Sequence, residues 1–372
     1  MEAHIENLTE GLVKRGHEVT IITASHPEGI EEENRDDIKI HYLDSEPKYF
    51  RRKFYKESAE LFGKLDEDFD IVHSHSSLGA GYVKYCGDDT PFVVTDHGTP
   101  LNEIRTVLSG KYPLKYFLAM PFWTYRHFFV EPEVFESADR IISPSYQLRD
   151  DIISQYGIEN EKNVVIPHGI DTEKYKPVSD VSEVRERYRV SEDEKVILSV
   201  GRMVKSKGYH ILLKAFSEVV ESLDAKLIMV GTGPDLSDFK ELSDELGISD
   251  GVVFTGKVSD EDLIDLYTLA DLFVHPTLWF SEVFGLVIAE AMACGTPVIA
   301  SRIGGVPTVV DERGVGFLFD PGNEDELTEK ILRILTDERL SSKFEANCRE
   351  EVVKNFSLDR MIEDTIECYE EL

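Results

Sequence analysis

Apolar residues recur along this chain in two alternating signatures. Short unbroken runs rich in Val and Ile read as strands buried on both faces, while stretches with apolar residues three and four apart read as helices with one inward face. Ile5, Leu8, Leu12 and Val13 give such a face to a helix over 2–15, stopped by Gly16, and 19–23 follows as a strand. Further strands are predicted over 38–43, 71–73, 92–95, 140–142 and 164–166. Between them fall helices over 51–65 and 77–85, a long aromatic helical region up to 130, and a helix from Ser145. Alternation of this kind predicts parallel sheet with helices on both faces.

Pro167-His168-Gly169-Ile170-Asp171 and the charged, Pro-containing sequence up to 195 interrupt the rhythm and place a domain boundary at 170. Beyond it come strands 196–200, 226–230, 252–255, 271–275, 298–300 and 316–319, with helices 207–223, 234–246, 260–269, 284–293 and others from 324 and 337. A final helical segment occupies 356–372. The chain thus reads as α/β, with one domain over 1–170 and a second over 171–355. Doubly wound domains open strand, Gly-rich turn, helix. This one opens on a helix, so its first sheet is expected to lack its first strand, unless the chain simply starts there.

The stretch 277–301 carries the most chemistry. Phe284 to Ala293 is apolar on nearly every face, which predicts a buried helix stopped by Gly295 and Pro297. Glu290 sits badly there, because an unpartnered carboxylate is costly to desolvate; it must find a donor or face a cleft. Glu282 lies at or before the helix start, about 80° from Glu290 around a helix axis, so both acids can face one ligand. The helix tip offers open amides near Phe284, Gly285 and Leu286 at the positive end of the dipole, which suits a phosphate. A core helix with one structural ion pair is the plainer alternative.

Other turns add to this. Gly201-Arg202-Met203-Val204-Lys205-Ser206-Lys207-Gly208 follows a strand and opens a helix, without the Gly-x4-Gly-Lys-Ser order of a Walker loop. A guanidinium fork and an ammonium suit a departing pyrophosphate; an exposed basic turn is the alternative. Gly231-Thr232-Gly233-Pro234 and Gly256-Lys257-Val258 are further turns after strands, weak signals on their own. His97 ends a strand, where ligands of open α/β sheets gather, although a lone His is more often structural. His73-Ser74-His75 spaces two imidazoles on one strand face, but no third metal ligand is evident nearby. Asp68-Phe69-Asp70 reads as a solvated turn.

Glu282-x7-Glu290 around Phe284-Gly285-Leu286, followed by Glu-Ala-Met-Ala-Cys-Gly-Thr-Pro-Val-Ile-Ala, resembles the signature of the family-4 retaining glycosyltransferases. The resemblance implies the GT-B fold, two Rossmann-like domains facing across a cleft, and a nucleotide-diphosphate sugar donor used without metal or cofactor. It assigns Glu290 to the nucleotide ribose and Glu282 to the donor sugar. Arg202 and Lys207 become the diphosphate clamp, with Lys205 as a substitute, and His97 reaches the sugar near the reacting carbon. Gly201, Gly231, Gly233, Val258, Phe284, Gly285 and Leu286 complete the donor contacts, Val258 through a turn against the base. The acceptor, a glycan or lipid-linked molecule, would enter from the first domain, and the segment 356–372 resembles a terminal helix that crosses back to it. From the residues alone that helix could equally end on the second domain. The family reacts on one face of the sugar, which makes Glu282 a positioning residue rather than a base. A nucleotide-sugar epimerase of the same architecture and a binding-only chain are the rivals. A dehydrogenase is disfavoured, since no Gly-x-Gly-x-x-Gly opens a βαβ unit with a suitably placed acid.

Composition narrows the partners. At 372 residues and 41% hydrophobic the chain is globular with room for two domains. Its 40 basic and 72 acidic residues give a net charge of −32, which argues against nucleic acid. The Debye length at physiological salt is about 8 Å, so local Arg and Lys still set the field in a cleft. Cys86, Cys294, Cys348 and Cys368 lie far apart, without disulfide or zinc spacing. No signal peptide or spanning run is evident, which predicts a cytoplasmic protein. Against this acidic background Lys48, Arg51, Arg52, Lys53 and Lys56 form a basic, aromatic segment suited to an anionic membrane surface at about 1 kcal/mol per residue. The aromatic stretch 112–129 would extend that platform, and pairing with the protein's own acids is the alternative.

Overall fold

The computed structural model describes residues 2–45, 52–65, 67–87, 89–108, 114–310 and 314–372. The chain divides into two compact units. The first runs to Gly169 and resumes over Leu358–Leu372; the second spans Ile170–Ser357.

The first unit holds two sheets. In one, β1 (Val19–Thr23) pairs in parallel with β3 (Ile38–Tyr42), and β2 (Glu32–Arg35) pairs antiparallel on the far side of β3. In the other, β4 (Val72–His75), β5 (Phe92–Thr95), β6 (Arg140–Ser143) and β7 (Asn163–Val165) lie parallel in chain order. Among the described residues no ladder joins the sheets. The polar strand β2 is invisible to apolar patterning; a hairpin at Asp36 (φ 49) and Asp37 (φ 65) makes it, both in the left-handed conformation that short turns require. Helices Glu2–Lys14 and Leu358–Glu370 pack together on the second sheet, through Leu8, Leu12, Met361 and Ile362 against Val93 and Ile142.

The second unit is a single parallel sheet in the order β10-β9-β8-β11-β12-β13. Its strands are β8 (Lys195–Val200), β9 (Ala225–Val230), β10 (Val252–Gly256), β11 (Leu272–His275), β12 (Val298–Ser301) and β13 (Gly316–Phe319). Strand residues alternate between two cores, as period two demands. Leu198, Ile228 and Phe273 meet helix Leu286–Ala293 on one face; Ile197, Leu227 and Leu272 meet helices Tyr209–Val219 and Glu324–Thr336 on the other. Coverage on both faces explains the unbroken apolar runs.

Three short helices escape the sequence pattern, Glu131–Ser137, Ser182–Arg187 and Val306–Val310. Ser182–Arg187 lies in the charged stretch read as a boundary and is anchored by one buried residue, Val184. The long aromatic region divides into Pro100–Leu108, a 3-10 turn at Leu114–Ala119 and Met120–Phe129.

Candidate functional site

The residues singled out in the sequence fall into two groups, one in each unit. In the second unit the strand order reverses between β8 and β11, which run parallel with Leu272 opposite Ile197 and Phe273 opposite Leu198. Loops leaving neighbouring strands at such a switch point diverge and open a crevice beyond the carboxyl ends. The β8 loop, Gly201–Gly208, and the β11 loop, which runs to Gly285, are held against each other. Leu278 N–H donates to the Ser206 carbonyl at 2.8 Å. Gly208 adopts φ +73, and a Cβ there would lie 1.8 Å from the Pro276 carbonyl oxygen. The β9 turn joins them, with Met203 N–H donating to the Thr232 carbonyl between Gly231 and Gly233 at 3.0 Å.

An ionic cluster forms where the two loops meet. The Lys207 ammonium pairs with the Glu282 carboxylate, their side chains 15% and 13% exposed. His275 Nε2 lies 3.2 Å from the same carboxylate oxygen, and the Lys207 ammonium sits 4.9 Å from the Trp279 ring centroid. Burial pushes the Glu282 carboxyl up, but the Lys207 charge and the His275 hydrogen bond outweigh it and hold it well below the usual range. Burial pushes His275 down, so at neutral pH it is an uncharged ring donating from Nε2 to the ionised carboxylate. Gly305 N–H donates to the Glu282 carbonyl at 2.6 Å, so the loop after β12 fixes the backbone beneath this acid.

Glu290 has a different environment. It projects from helix Leu286–Ala293, where the Tyr267 hydroxyl donates to it at 2.9 Å and Tyr175 is also a hydrogen-bond partner. Burial raises its pKa despite these donors. The angular relation expected between the two acids does not apply, because the helix begins only at Leu286, after Gly285 at φ 89, and Glu282 lies in the loop before it. The amides of Gly285, Leu286 and Val287 have no protein acceptor among the described residues. Phe284 is buried, Leu286 is exposed, and Val258 packs half-buried on the core. Arg202 is exposed and forms no ion pair among the described residues, whereas Lys205 is engaged by Asp238 at 2.7 Å. Sequence reasoning missed the supporting shell of His275, Tyr267, Trp279 and Tyr209. The hydroxyl of Tyr209, the indole N–H of Trp279 and the hydroxyl of Ser281 are buried without a hydrogen-bond partner among the described residues. Unpaired buried donors of this kind suit a polar ligand.

In the first unit His97 follows β5, two residues beyond Thr95, which pairs with His75 at the end of β4. His75 Nδ1 lies 3.1 Å from His97 Nε2. His4, from the first helix, packs its ring 5.6 Å from His75 and 5.4 Å from His97, and its Nδ1 lies 3.1 Å from His168 Nδ1. His73 is anchored by Thr95 Oγ1 at 2.8 Å and the Tyr369 hydroxyl at 2.5 Å. Burial pushes His4 down to about 4 and His73 and His97 to about 3, and holds His75 and His168 well below the ordinary value. At neutral pH His97 therefore offers hydrogen bonds but no charge. The sequence suggested two neighbouring imidazoles and no third; the structure corrects this, because the carboxyl ends of β4, β5 and β7 converge with the first helix. Beside His97, Asp96 is buried and its pKa raised by burial, while Arg126 pairs with the buried Glu131.

Of the basic segment, Lys48 and Arg51 lie outside the described residues. Arg52 and Lys56 are exposed on helix Arg52–Phe62, and Lys53 pairs with Glu57 at 3.2 Å and Asp44 at 3.6 Å. Leu118, Tyr125, Phe128 and Phe129 are exposed. Among the described residues no helix is long and apolar enough to cross a membrane, and the four cysteines are free.

Comparison with known proteins supplies the context. The family profile Glycosyltransferase Family 4 matches residues 1–174, and Glycosyl transferases group 1 matches residues 180–351. An uncharacterized glycosyltransferase of Methanocaldococcus jannaschii is 30% identical over 98% of this chain and 93% of its own length. N-acetyl-alpha-D-glucosaminyl L-malate synthase of Bacillus anthracis is 26% identical over 95% of this chain and 89% of that protein. Among solved structures, sucrose-phosphate synthase of Thermosynechococcus elongatus superposes with TM-score 0.80 at 25% identity, covering 99% of this chain and 92% of that one. The Anabaena protein HepE, solved with UDP and glucose, superposes with TM-score 0.74 at 21% identity, over 99% and 96% of the two chains.

Proposed function

Because the chain belongs to the group 1, family 4 glycosyltransferases of GT-B fold, we propose that it moves a sugar from a nucleotide-diphosphate donor to a glycan or lipid-linked hydroxyl with retention of anomeric configuration. The observation that carries this reading is the Lys207–Glu282–His275 cluster beside the open amides of the helix tip. A diphosphate gains negative charge as the sugar departs, and that charge is met by Lys207, by the unpaired Arg202 and by the amides of Gly285, Leu286 and Val287. Glu290, oriented by Tyr267, accepts hydrogen bonds from the ribose hydroxyls. Glu282, held ionised and fixed by two partners, positions the sugar hydroxyls rather than attacking. That HepE holds UDP and glucose supports a donor of this class.

In the first unit the His97 ring is neutral and offers hydrogen bonds without positive charge. The transfer step needs no metal, since the clamp supplies the positive charge. We place the reaction on the cytoplasmic side of a membrane, with Arg52, Lys53 and Lys56 touching anionic lipid. Incubating the protein with a panel of nucleotide sugars, with and without lipid extract, and following nucleotide release and product by NMR tests this. Acceptor-dependent release with a retained anomeric centre is expected. Interconversion of the free nucleotide sugar, or nucleotide binding without turnover, would overturn it.

A further inference from the structure

The imidazole cluster of the first unit has more lone pairs than the transferase reading uses. Three of its rings come from separate elements: His4 from the first helix, His75 from the end of β4 and His97 from the turn after β5. One nitrogen from each lies within 4.8 Å of the others. A tetrahedral zinc with bonds of about 2.0–2.1 Å holds its ligands roughly 3.4 Å apart, and His75 Nδ1 and His97 Nε2 already stand at 3.1 Å. His4 Nδ1 is engaged by His168, while its Nε2 is buried with no hydrogen-bond partner among the described residues. A ring whose one nitrogen is fixed by a neighbour and whose other is unclaimed is arranged as metal ligands are arranged. His73, tied to Thr95 and Tyr369, stacks on His75 at 4.9 Å between centroids and sets its plane.

We propose that His4, His75 and His97 bind one divalent transition-metal ion of the zinc, cobalt and nickel class. Three neutral imidazoles select borderline ions over magnesium or calcium, which prefer carboxylate and carbonyl oxygen. Three protein ligands leave a fourth position for water or a ligand oxygen. The inference concerns binding alone and stands whether or not the chain transfers sugar.

The test is a titration of the untagged, chelator-stripped full chain with Co²⁺, read by its visible absorption, and with Zn²⁺, read by calorimetry. One equivalent is expected, with Kd of about 1 µM or tighter and the intense visible band of four- or five-coordinate cobalt. His4→Asn and His75→Asn should each weaken binding about 100-fold or more, and the second-sphere His73→Asn by about 10-fold. His17→Asn, outside the cluster, should bind as the parent does. Circular dichroism identifies any variant that fails to fold; His4→Asn, on a helix rather than in the sheet, is read if His75→Asn does not fold. No binding tighter than about 100 µM in the parent chain, or stoichiometric binding undiminished in a folded His4→Asn or His75→Asn variant, overturns the proposal.

Discussion

The two units bury different polar groups around the residues singled out in the sequence, although the first also holds one buried ion pair, Arg126 with Glu131. The second buries ions and neutralises them in pairs: Lys207 on Glu282, with His275 as a third member. The first buries imidazoles at the ends of parallel strands and keeps them uncharged. Desolvating an ion is repaid only by close, well-oriented partners, whereas a neutral imidazole asks only for hydrogen bonds. The difference teaches where electrostatic work is available. The second unit offers positive charge at the exposed Arg202 and open amides at a helix tip; the first offers hydrogen-bonding rings and lone pairs.

The largest effect should come from breaking the buried pair. Lys207→Met leaves the buried Glu282 without its main partner and should destabilise the second unit by about 3–5 kcal/mol, read by denaturant titration. Lys207→Met combined with Glu282→Gln should recover much of that stability and none of the turnover. If turnover returns as well, the pair is structural only. Arg202→Ala separates the two roles further. Its side chain is exposed and unpaired among the described residues, so stability should hold while turnover falls by roughly 3 kcal/mol of transition-state stabilisation. Near-normal turnover would remove Arg202 from the clamp.

The first unit should answer to acid instead. Its folded histidine pKa values, about 4 for His4 and about 3 for His97, lie below the unfolded value of 6.5. The unfolded chain therefore binds more protons through that window. Stability should be complete above about pH 6.5 and fall toward pH 4, by about 1.4 kcal/mol per pH unit for each titrating ring. Calorimetry across pH reads this, and a flat profile would show that the rings are not buried as described. The smallest effect is expected from Tyr267→Phe, which removes one hydrogen bond to Glu290. It should cost about 1 kcal/mol of stability and weaken nucleotide binding several-fold, with little change in maximal turnover.

Much of this was legible along the chain. Apolar runs located the parallel strands because both sheet faces of the second unit are covered, and the helix after Gly285 was evident from its apolar circumference. The strand β2 was not, since its stability comes from a left-handed Asp36-Asp37 turn and not from burial. Single residues stood out in the sequence only where turn chemistry surrounds them, as at Arg202 and Glu282. His275 and Tyr267 became visible only through packing, because each looks like ordinary core on its own strand or helix. The histidine cluster was hidden most completely: His4, His75, His97 and His168 are far apart in sequence, and only the convergence of strand ends gathers them.

The proposed function requires that the tip of helix Leu286–Ala293, together with Glu290 and Arg202, receive a nucleoside diphosphate. Calorimetric titration of the protein with UDP, GDP and ADP, alongside the Glu290→Gln and Arg202→Ala variants, tests this directly. At least one nucleotide should bind one-to-one, with affinity falling about tenfold or more in each variant, a loss of about 1.4 kcal/mol. Absence of binding by all three nucleotides, or binding that neither substitution weakens, would show that the helix tip is not a nucleotide site.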